Sequence, residues 1–315
     1  MAIKTMKEFG RIGVLMGGPS EERPISLKSA HAVYDSLRTL GCDVVGIDIT
    51  TEDPAANMAL IRSHGIDCAF IALHGRFGED GQIQQVLEDL RVPYTGSGVE
   101  ASKRAMDKAA SLALFSSAGL AVAEYIVADR NVSGAAGEIS VPFALPWVVK
   151  PVRQGSSIGL SIIDSSQQLG QALRLAFETD ERALVQHYIE GRELTVAILD
   201  EKPLPIVEIV TTRKFFDYEA KYSQGFTDYI VPAQIGEATA AAVQRAALAA
   251  HRSLGCFGCS RVDVILSEDN IPYVLELNNI PGLTQTSLLP KAARCAGIDF
   301  SQLCVRMLSL AYEKK

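Results

Sequence analysis

Three oxygen-bearing side chains in the C-terminal third have the types and spacing of a divalent-cation site. In "YVLELNNIPG" (273–282), Glu276 and Asn278 stand two apart in an apolar run that reads as a strand, so they share one face. Asp263 is the single acid within the preceding apolar run, "RVDVILS". A hairpin turning at Asp269-Asn270 sets Asp263 opposite Glu276, with Cβ atoms about 5 Å apart. Like charges opposed in this way are destabilising, and a carboxylate withdrawn from water needs compensation. Asp, Glu and an amide carbonyl form an all-oxygen ligand set suited to magnesium, which takes one or two carboxylates beside the phosphates of a nucleotide. The alternative is a solvated strand edge with two unrelated acids. Val264, Ile265, Val274, Leu275 and Leu277 give both strands a buried character, which favours the cation.

Phosphate-handling groups lie elsewhere in the chain. Lys150 ends the apolar strand "PWVVK" and is followed by the turn "RQGSSIG", where a lysine charge and turn amides can meet one phosphate. Lys108 and Lys221 are further candidates. Lys221 sits in the long polar, aromatic-studded segment "FFDYEAKYSQGFTDY", which has the character of a lid. Arg261 is two residues from Asp263 on one strand and shares its face, either as a structural partner or as a site cation.

The elements that must position these groups read as two textures. Over the first hundred residues apolar strands alternate with amphipathic helices: "RIGVLMGG", a helix capped by Ser26 and running to about Leu40, "DVVGIDI", "DCAFIAL" ending at His74-Gly75, and a helix in "GQIQQVLEDL". This is the pattern of a parallel sheet with crossover helices, whose ligands gather at strand carboxyl ends. One helix is then expected in "ASKRAMDKAASLALFSSAG", and a linker-like stretch in "DRNVSGAAGEISVPFALPW", which a loop within a small domain would resemble. Beyond it come a helix near 165–178, the strand "RALVQHYI", antiparallel strands in "RELTVAILD" and "LPIVEIVTT", an alanine-rich helix over 236–254, the hairpin and two terminal helices.

A chain of 315 residues with 48% hydrophobic and 21% charged residues suggests a globular protein of two or three domains. Its N-terminal segment lacks a secretory h-region and no apolar run has membrane-spanning length, so a cytoplasmic protein without a membrane partner is expected. A net charge of −7 argues against nucleic acid as well. Six scattered cysteines form no disulfide framework, and the C-x-x-C at Cys256 and Cys259 lacks the context of a redox or zinc motif.

In order, "GGPSEER", "LHGRFGEDG", "YTGSG", "MDK", "VVKPVRQGSSIG", "GRELTVAIL", "DYEAKY", "GCSRVDV" and "LELNNIPGLTQTS" resemble the D-alanine–D-alanine ligases of the ATP-grasp superfamily, across nearly the whole chain. The resemblance implies an α/β fold, α+β in its C-terminal part, with three domains: a doubly wound parallel sheet for substrate binding over 1–105, a central ATP-grasp subdomain over 106–185, and a C-terminal catalytic domain over 186–315. It implies a homodimer that uses ATP with two magnesium ions, manganese being an alternative, to phosphorylate the carboxylate of one D-alanine before the amine of a second attacks the acylphosphate. The product would be D-alanyl-D-alanine for peptidoglycan synthesis; relatives acting on D-serine or D-lactate, and a nucleotide-binding protein without ligase activity, are the alternatives.

By matched position the resemblance assigns phosphate contacts to Lys108, Lys150 and Lys221, metal ligation to Asp263, Glu276 and Asn278, and stabilisation of the tetrahedral oxygen to Arg261 and the Gly282 amide. Glu22 would hold the first ammonium through a network with Ser156 and Tyr222, His74 would lie by the first carboxylate, and Ser287 would bind the second. Gln186 would meet the adenine and Glu193 the ribose. Tyr222, directly after Lys221, marks dipeptide formation as opposed to the D-lactate ester. Gln186, Pro24, Val152 and Asn279 depart from the common residues, and none of the four removes a proposed metal ligand, phosphate lysine or oxyanion donor.

Overall fold

The computed structural model of the chain describes residues 6–133, 139–211 and 227–314. A 3-10 turn at Met6–Phe9 leads into β1 (Arg11–Gly17), α1 (Arg23–Thr39), β2 (Asp43–Ile49), α2 (Pro54–His64), β3 (Cys68–Ile71) and α3 (Gln82–Leu90). The strands pair in parallel in the order β2-β1-β3. A parallel strand is covered on both faces, and β1 is: Ile12 and Val14 pack with Ala30, Val33 and Leu37 of α1, while Leu15 meets Ile61, Val86 and Leu87 from α2 and α3. The doubly wound arrangement follows, with the loops after β1 and β3 at one edge.

Helix α1 starts earlier than its serine suggests. Pro24 stands in its first turn, where a missing N–H leaves nothing unsatisfied, and Glu22 is the N-cap. Ser26 is therefore no cap; it lies one turn in, fully buried, and donates to the Ala72 carbonyl at 2.7 Å. The helix expected across "ASKRAMDKAASLALF" is two, α4 (Val99–Met106) and α5 (Lys108–Ser117), because Asp107 adopts an extended conformation and caps α5 by accepting from Ala110 N at 3.0 Å. Asp107 also takes Arg182 and Arg153. Lys108 is thus fixed as the first residue of a capped helix.

Next come β4 (Tyr125–Asp129), α6 (Arg130–Ser133), β5 (Trp147–Pro151), β6 (Ser161–Ile163), α7 (Leu169–Ala176) and β7 (Arg182–His187). These strands form an antiparallel sheet in the order β4-β7-β5-β6. Both β4 and β5 pair with β7, so the linker-like stretch between them is a connection inside one sheet unit.

The third sheet is built from β8 (Gly191–Leu199), β9 (Lys202–Pro203), β10 (Val207–Thr211), β11 (Thr227–Ile230), β12 (Cys259–Ser267) and β13 (Pro272–Asn278), in the order β11-β10-β8-β12-β13 with β9 on β8. Along β12 burial alternates: Val262, Val264 and Leu266 pack with Val243, Ala247 and Ala250 of α8 (Glu237–Leu254), which leaves Arg261, Asp263 and Ile265 on the opposite face. Asp263 pairs with Glu276 and Arg261 with Asn278, as the hairpin predicts. Nearer the turn the register shifts, Val264 pairing with Val274, so the hairpin centres on Asp269 and Leu275 is an extra residue. Such a bulge bends the strand and re-aims side chains. Finally α9 (Leu288–Cys295) leads to α10 (Phe300–Ala311), whose Leu303 and Leu308 share a core with α1.

Cys256 and Cys259 are buried free thiols, each pushed up to about 12 by burial, and so stay protonated at neutral pH.

Candidate active site

Two adjoining clefts open on the cleft-facing side of the third sheet. The first, about 400 Å³, has Lys150 and Gln186 of the second sheet on one wall and Glu193, Asp263 and Glu276 of the third on the other. Leu275 also reaches it, because the bulge sends two consecutive side chains of β13 to the same side. The second, about 720 Å³, is lined by Glu22, His74, Arg261, Asn278, Gly282 and Ser287. Lys108, Gly155, Ser156 and Glu276 line both. Of the residues assigned from sequence, Lys221 and Tyr222 lie outside the described residues; all the others border one cleft or both.

At the junction two carboxylates face two cations. Arg261 forks onto Asp263 through Nε at 2.9 Å and Nη2 at 2.8 Å, and Thr195 Oγ1 donates to the same carboxylate at 2.7 Å. Lys108 Nζ stands 3.4 Å from Glu276 Oε2 and donates to the Gln154 carbonyl at 2.7 Å. Arg261 is thus both a partner of Asp263 and a wall of the second cleft. Asn278 Oδ1 accepts from Ile280 N at 2.8 Å, which orients the amide with its carbonyl toward its own loop. Asp263, Glu276 and Asn278 remain an all-oxygen set on one strand pair, chemically matched to a hard divalent cation.

The turn after Lys150 holds Ser156 and Ser157 at φ of 53° and 58°, a left-handed conformation that non-glycine residues adopt at a cost of about 1 kcal/mol each. That conformation brings the Ser156 hydroxyl onto Glu22 Oε1, where it donates. Glu22 needs glycine on its other side: a Cβ on Gly75, whose φ is +73°, would stand 2.5 Å from Glu22 Oε2. Gln186 is buried, and its Nε2 has no hydrogen-bond partner among the described residues. A buried amide left in this way suits a ligand that offers hydrogen-bonding edges.

His74 is tied on both ring nitrogens, Nε2 lying 3.0 Å from Ser29 Oγ and Nδ1 3.4 Å from Glu79 Oε1. Ser287 is the N-cap position of α9, yet its hydroxyl bonds back to Thr284 N at 3.1 Å and Thr284 Oγ1 at 2.8 Å and makes no cap bond within the helix. The first N–H groups of the helix are therefore left without a side-chain cap, a polarity that suits an anion. Thr195, Glu79, Ser29 and Tyr229 belong to this constellation and were not singled out by sequence. Thr195, Ser29 and Tyr229 contact a site residue or cleft from a distant segment, and only the three-dimensional pairing reveals them, although the alternation of "RELTVAIL" could have flagged Thr195, which opposes Asp263; Glu79 meets His74 from five residues on in the same loop.

Comparison with known proteins bears on what occupies these clefts. Residues 53–97 match a family model described as D-ala D-ala ligase N-terminus, and residues 114–309 one described as D-ala D-ala ligase C-terminus. A D-alanine–D-alanine ligase of Anaeromyxobacter sp. (strain K) is 48% identical over 298 residues, covering 95% of this chain and 96% of the relative. That of Geotalea uraniireducens is 46% identical over 301 residues, covering 96% and 95%. Among solved structures, the Bacillus anthracis D-alanine–D-alanine ligase complexed with ATP superposes with a TM-score of 0.83 at 32% identity, covering 96% of this chain and 97% of its own. The VanG D-Ala:D-Ser ligase of Enterococcus faecalis gives 0.82 at 30% identity, covering 96% and 99%.

Proposed function

The chain belongs to the D-alanine–D-alanine ligase family, and from that membership we propose how its two clefts divide the reaction. The family joins two D-alanines with ATP for peptidoglycan synthesis, and this chain is such a ligase. One observation carries the division of labour: Lys108 and Glu276 line both clefts, so the two adjoin and a group held at their junction faces both.

ATP occupies the first cleft. Gln186 meets the adenine with its amide, whose Nε2 has no partner among the described residues, Glu193 binds the ribose, and Lys108, Lys150 and Lys221 neutralise phosphate oxygens. Asp263, Glu276 and Asn278 would hold two magnesium ions, or manganese, which would screen the charge of the transferring phosphate. The first D-alanine lies in the second cleft, its ammonium on Glu22 with Ser156 and Tyr222 completing the network and its carboxylate near His74. A carboxylate oxygen attacks the γ-phosphorus, the P–O bond to the ADP oxygen breaks, and an acylphosphate forms. The amine of the second D-alanine, whose carboxylate sits at Ser287 and the start of α9, then attacks the acyl carbon. Arg261 and the Gly282 amide receive the developing oxyanion; the acyl C–O bond then breaks, and phosphate departs with the proton that the attacking nitrogen gives up. Phosphate release from ATP with D-alanine tests this, set against D-serine and D-lactate. Release driven by D-lactate in preference to D-alanine at neutral pH would contradict the Tyr222 assignment.

The same reading makes the chain a cytoplasmic homodimer of three domains, cut at 1–105, 106–185 and 186–315, with no nucleic-acid or membrane partner. The net charge of −7 supports the exclusion of nucleic acid. Light scattering that gives one chain mass would rule out the dimer.

A further inference from the structure

Ser29 is a polar side chain buried completely in α1, between the histidine of the second cleft and the loop that carries Gly282. Its Oγ is 3.0 Å from His74 Nε2, and the Leu283 N–H donates to the same oxygen at 3.3 Å. The direction of the first bond follows from the other ring nitrogen. Nδ1 faces a carboxylate oxygen, Glu79 Oε1 at 3.4 Å, and a carboxylate only accepts, so in the neutral ring the proton belongs on Nδ1. Nε2 then holds a lone pair, and the Ser29 hydroxyl spends its one hydrogen there while a lone pair takes the Leu283 amide.

The loop is held at its other end from the same side. Asn279 Nδ2 donates to the Glu79 carbonyl at 3.2 Å and to Ser102 Oγ at 2.8 Å, and Ile280 packs into the core of the first sheet. Gly282 lies between these anchors and has little room, since a Cβ there would stand 2.9 Å from Ser287 Oγ. An oxyanion donor misplaced by about 1 Å forfeits on the order of a hundredfold in rate.

We propose that Ser29 is a positioning residue: its single hydroxyl holds the His74 ring, in the Nδ1–H tautomer that Glu79 sets, and tethers Leu283, so that the wall of the first-substrate site and the Gly282 loop are joined through one group. The proposal rests on the ligase reading of the second cleft and extends it to a residue that touches no substrate. Neither Ser29 nor Leu283 lines the first cleft among the described residues, so the effect is expected at the second.

Ser29→Ala removes the hydroxyl and should lower kcat about tenfold or more while the KM for ATP stays within about twofold. Ser26→Ala is the control: it removes the neighbouring buried serine of the same helix, whose bond goes to Ala72, and should lower the melting temperature comparably with kcat within about twofold. Ser29→Cys, close in size and a weaker donor, carries the test if the alanine variant does not fold; its kcat should also fall. Nitrogen NMR of the imidazole in the ligand-free protein, assigned by its loss in His74→Gln, should report Nδ1–H for the neutral ring and a change in Ser29→Ala. Unaltered kcat in Ser29→Ala, an equal kcat loss in Ser26→Ala, or an Nε2–H ring in the unmodified protein would each overturn the proposal. Absence of D-alanine-dependent phosphate release in the unmodified chain would instead refute the ligase reading, leaving the NMR result to decide the geometry of Ser29.

Discussion

Asp263 ties together more of the proposed chemistry than any neighbour on its strand, because it is bonded by Thr195 and Arg261 and opposes Glu276 across the hairpin. Asp263→Asn keeps the shape and removes the charge. Phosphate release should fall by about a hundredfold or more, while the protein still folds with a loss of about 1–3 kcal/mol from the mostly buried Arg261 left without its counter-charge. Near-normal turnover in that variant would remove Asp263 from the metal site. Gln186 gives the opposite signature. Its Nε2 has no hydrogen-bond partner among the described residues, so Gln186→Met should not lower the melting temperature, whereas the KM for ATP should rise about five- to thirtyfold if the amide meets adenine. A destabilised variant with unchanged KM would place the adenine elsewhere. Asp263, Glu276, Asn278 and Arg261 were legible because strand alternation alone puts them on one face. Ser29 and Asn279 were not, since each acquires its partners from segments far away in sequence and no local pattern records that meeting.

The elements were legible where a single period dominates and less so where one residue breaks it. The parallel unit, the antiparallel pairing of β8 with β10 and the β12–β13 hairpin follow from apolar spacing. The divided helix at Asp107 does not, because a lone acid inside a helical pattern reads as an exposed position until its carboxylate is seen capping α5 and holding two arginines. Leu275 is the same kind of case: period two sends it into the core, and the bulge returns it to the cleft. The contact between α8 and β12 supplies a pH test at this scale. His251 is completely buried on α8, with Nδ1 2.7 Å from Ser260 Oγ on β12, and Nε2 3.3 Å from a carboxylate oxygen of the half-exposed Glu201 without hydrogen-bond geometry. Burial lowers its pKa, outweighing the pull of Glu201. The unfolded chain binds a proton near 6.5, the ordinary histidine value, and the folded chain resists it. The stability contributed by neutral His251 is therefore complete above that pH and is lost as pH falls below it. Urea melts across this range should show the decline, and His251→Gln should flatten it; an unchanged slope would mean another group is responsible.

At the scale of the molecule, the clefts exist because three sheets meet: the doubly wound unit brings Glu22, Ser29 and His74, the β4–β7 sheet brings Lys150 and Gln186, and the β8–β13 sheet brings the acids and Arg261. That meeting explains why the order of motifs along the chain identified the family while none of the motifs alone described a site. The central claim is that a phosphate taken from ATP in one cleft activates a D-alanine in the next. Phosphate and product should be counted together, by a phosphate assay and mass spectrometry of the same mixture of protein, ATP, magnesium and D-alanine. The account predicts one D-alanyl-D-alanine for each phosphate released; phosphate released without dipeptide, or no release that depends on D-alanine, would contradict it.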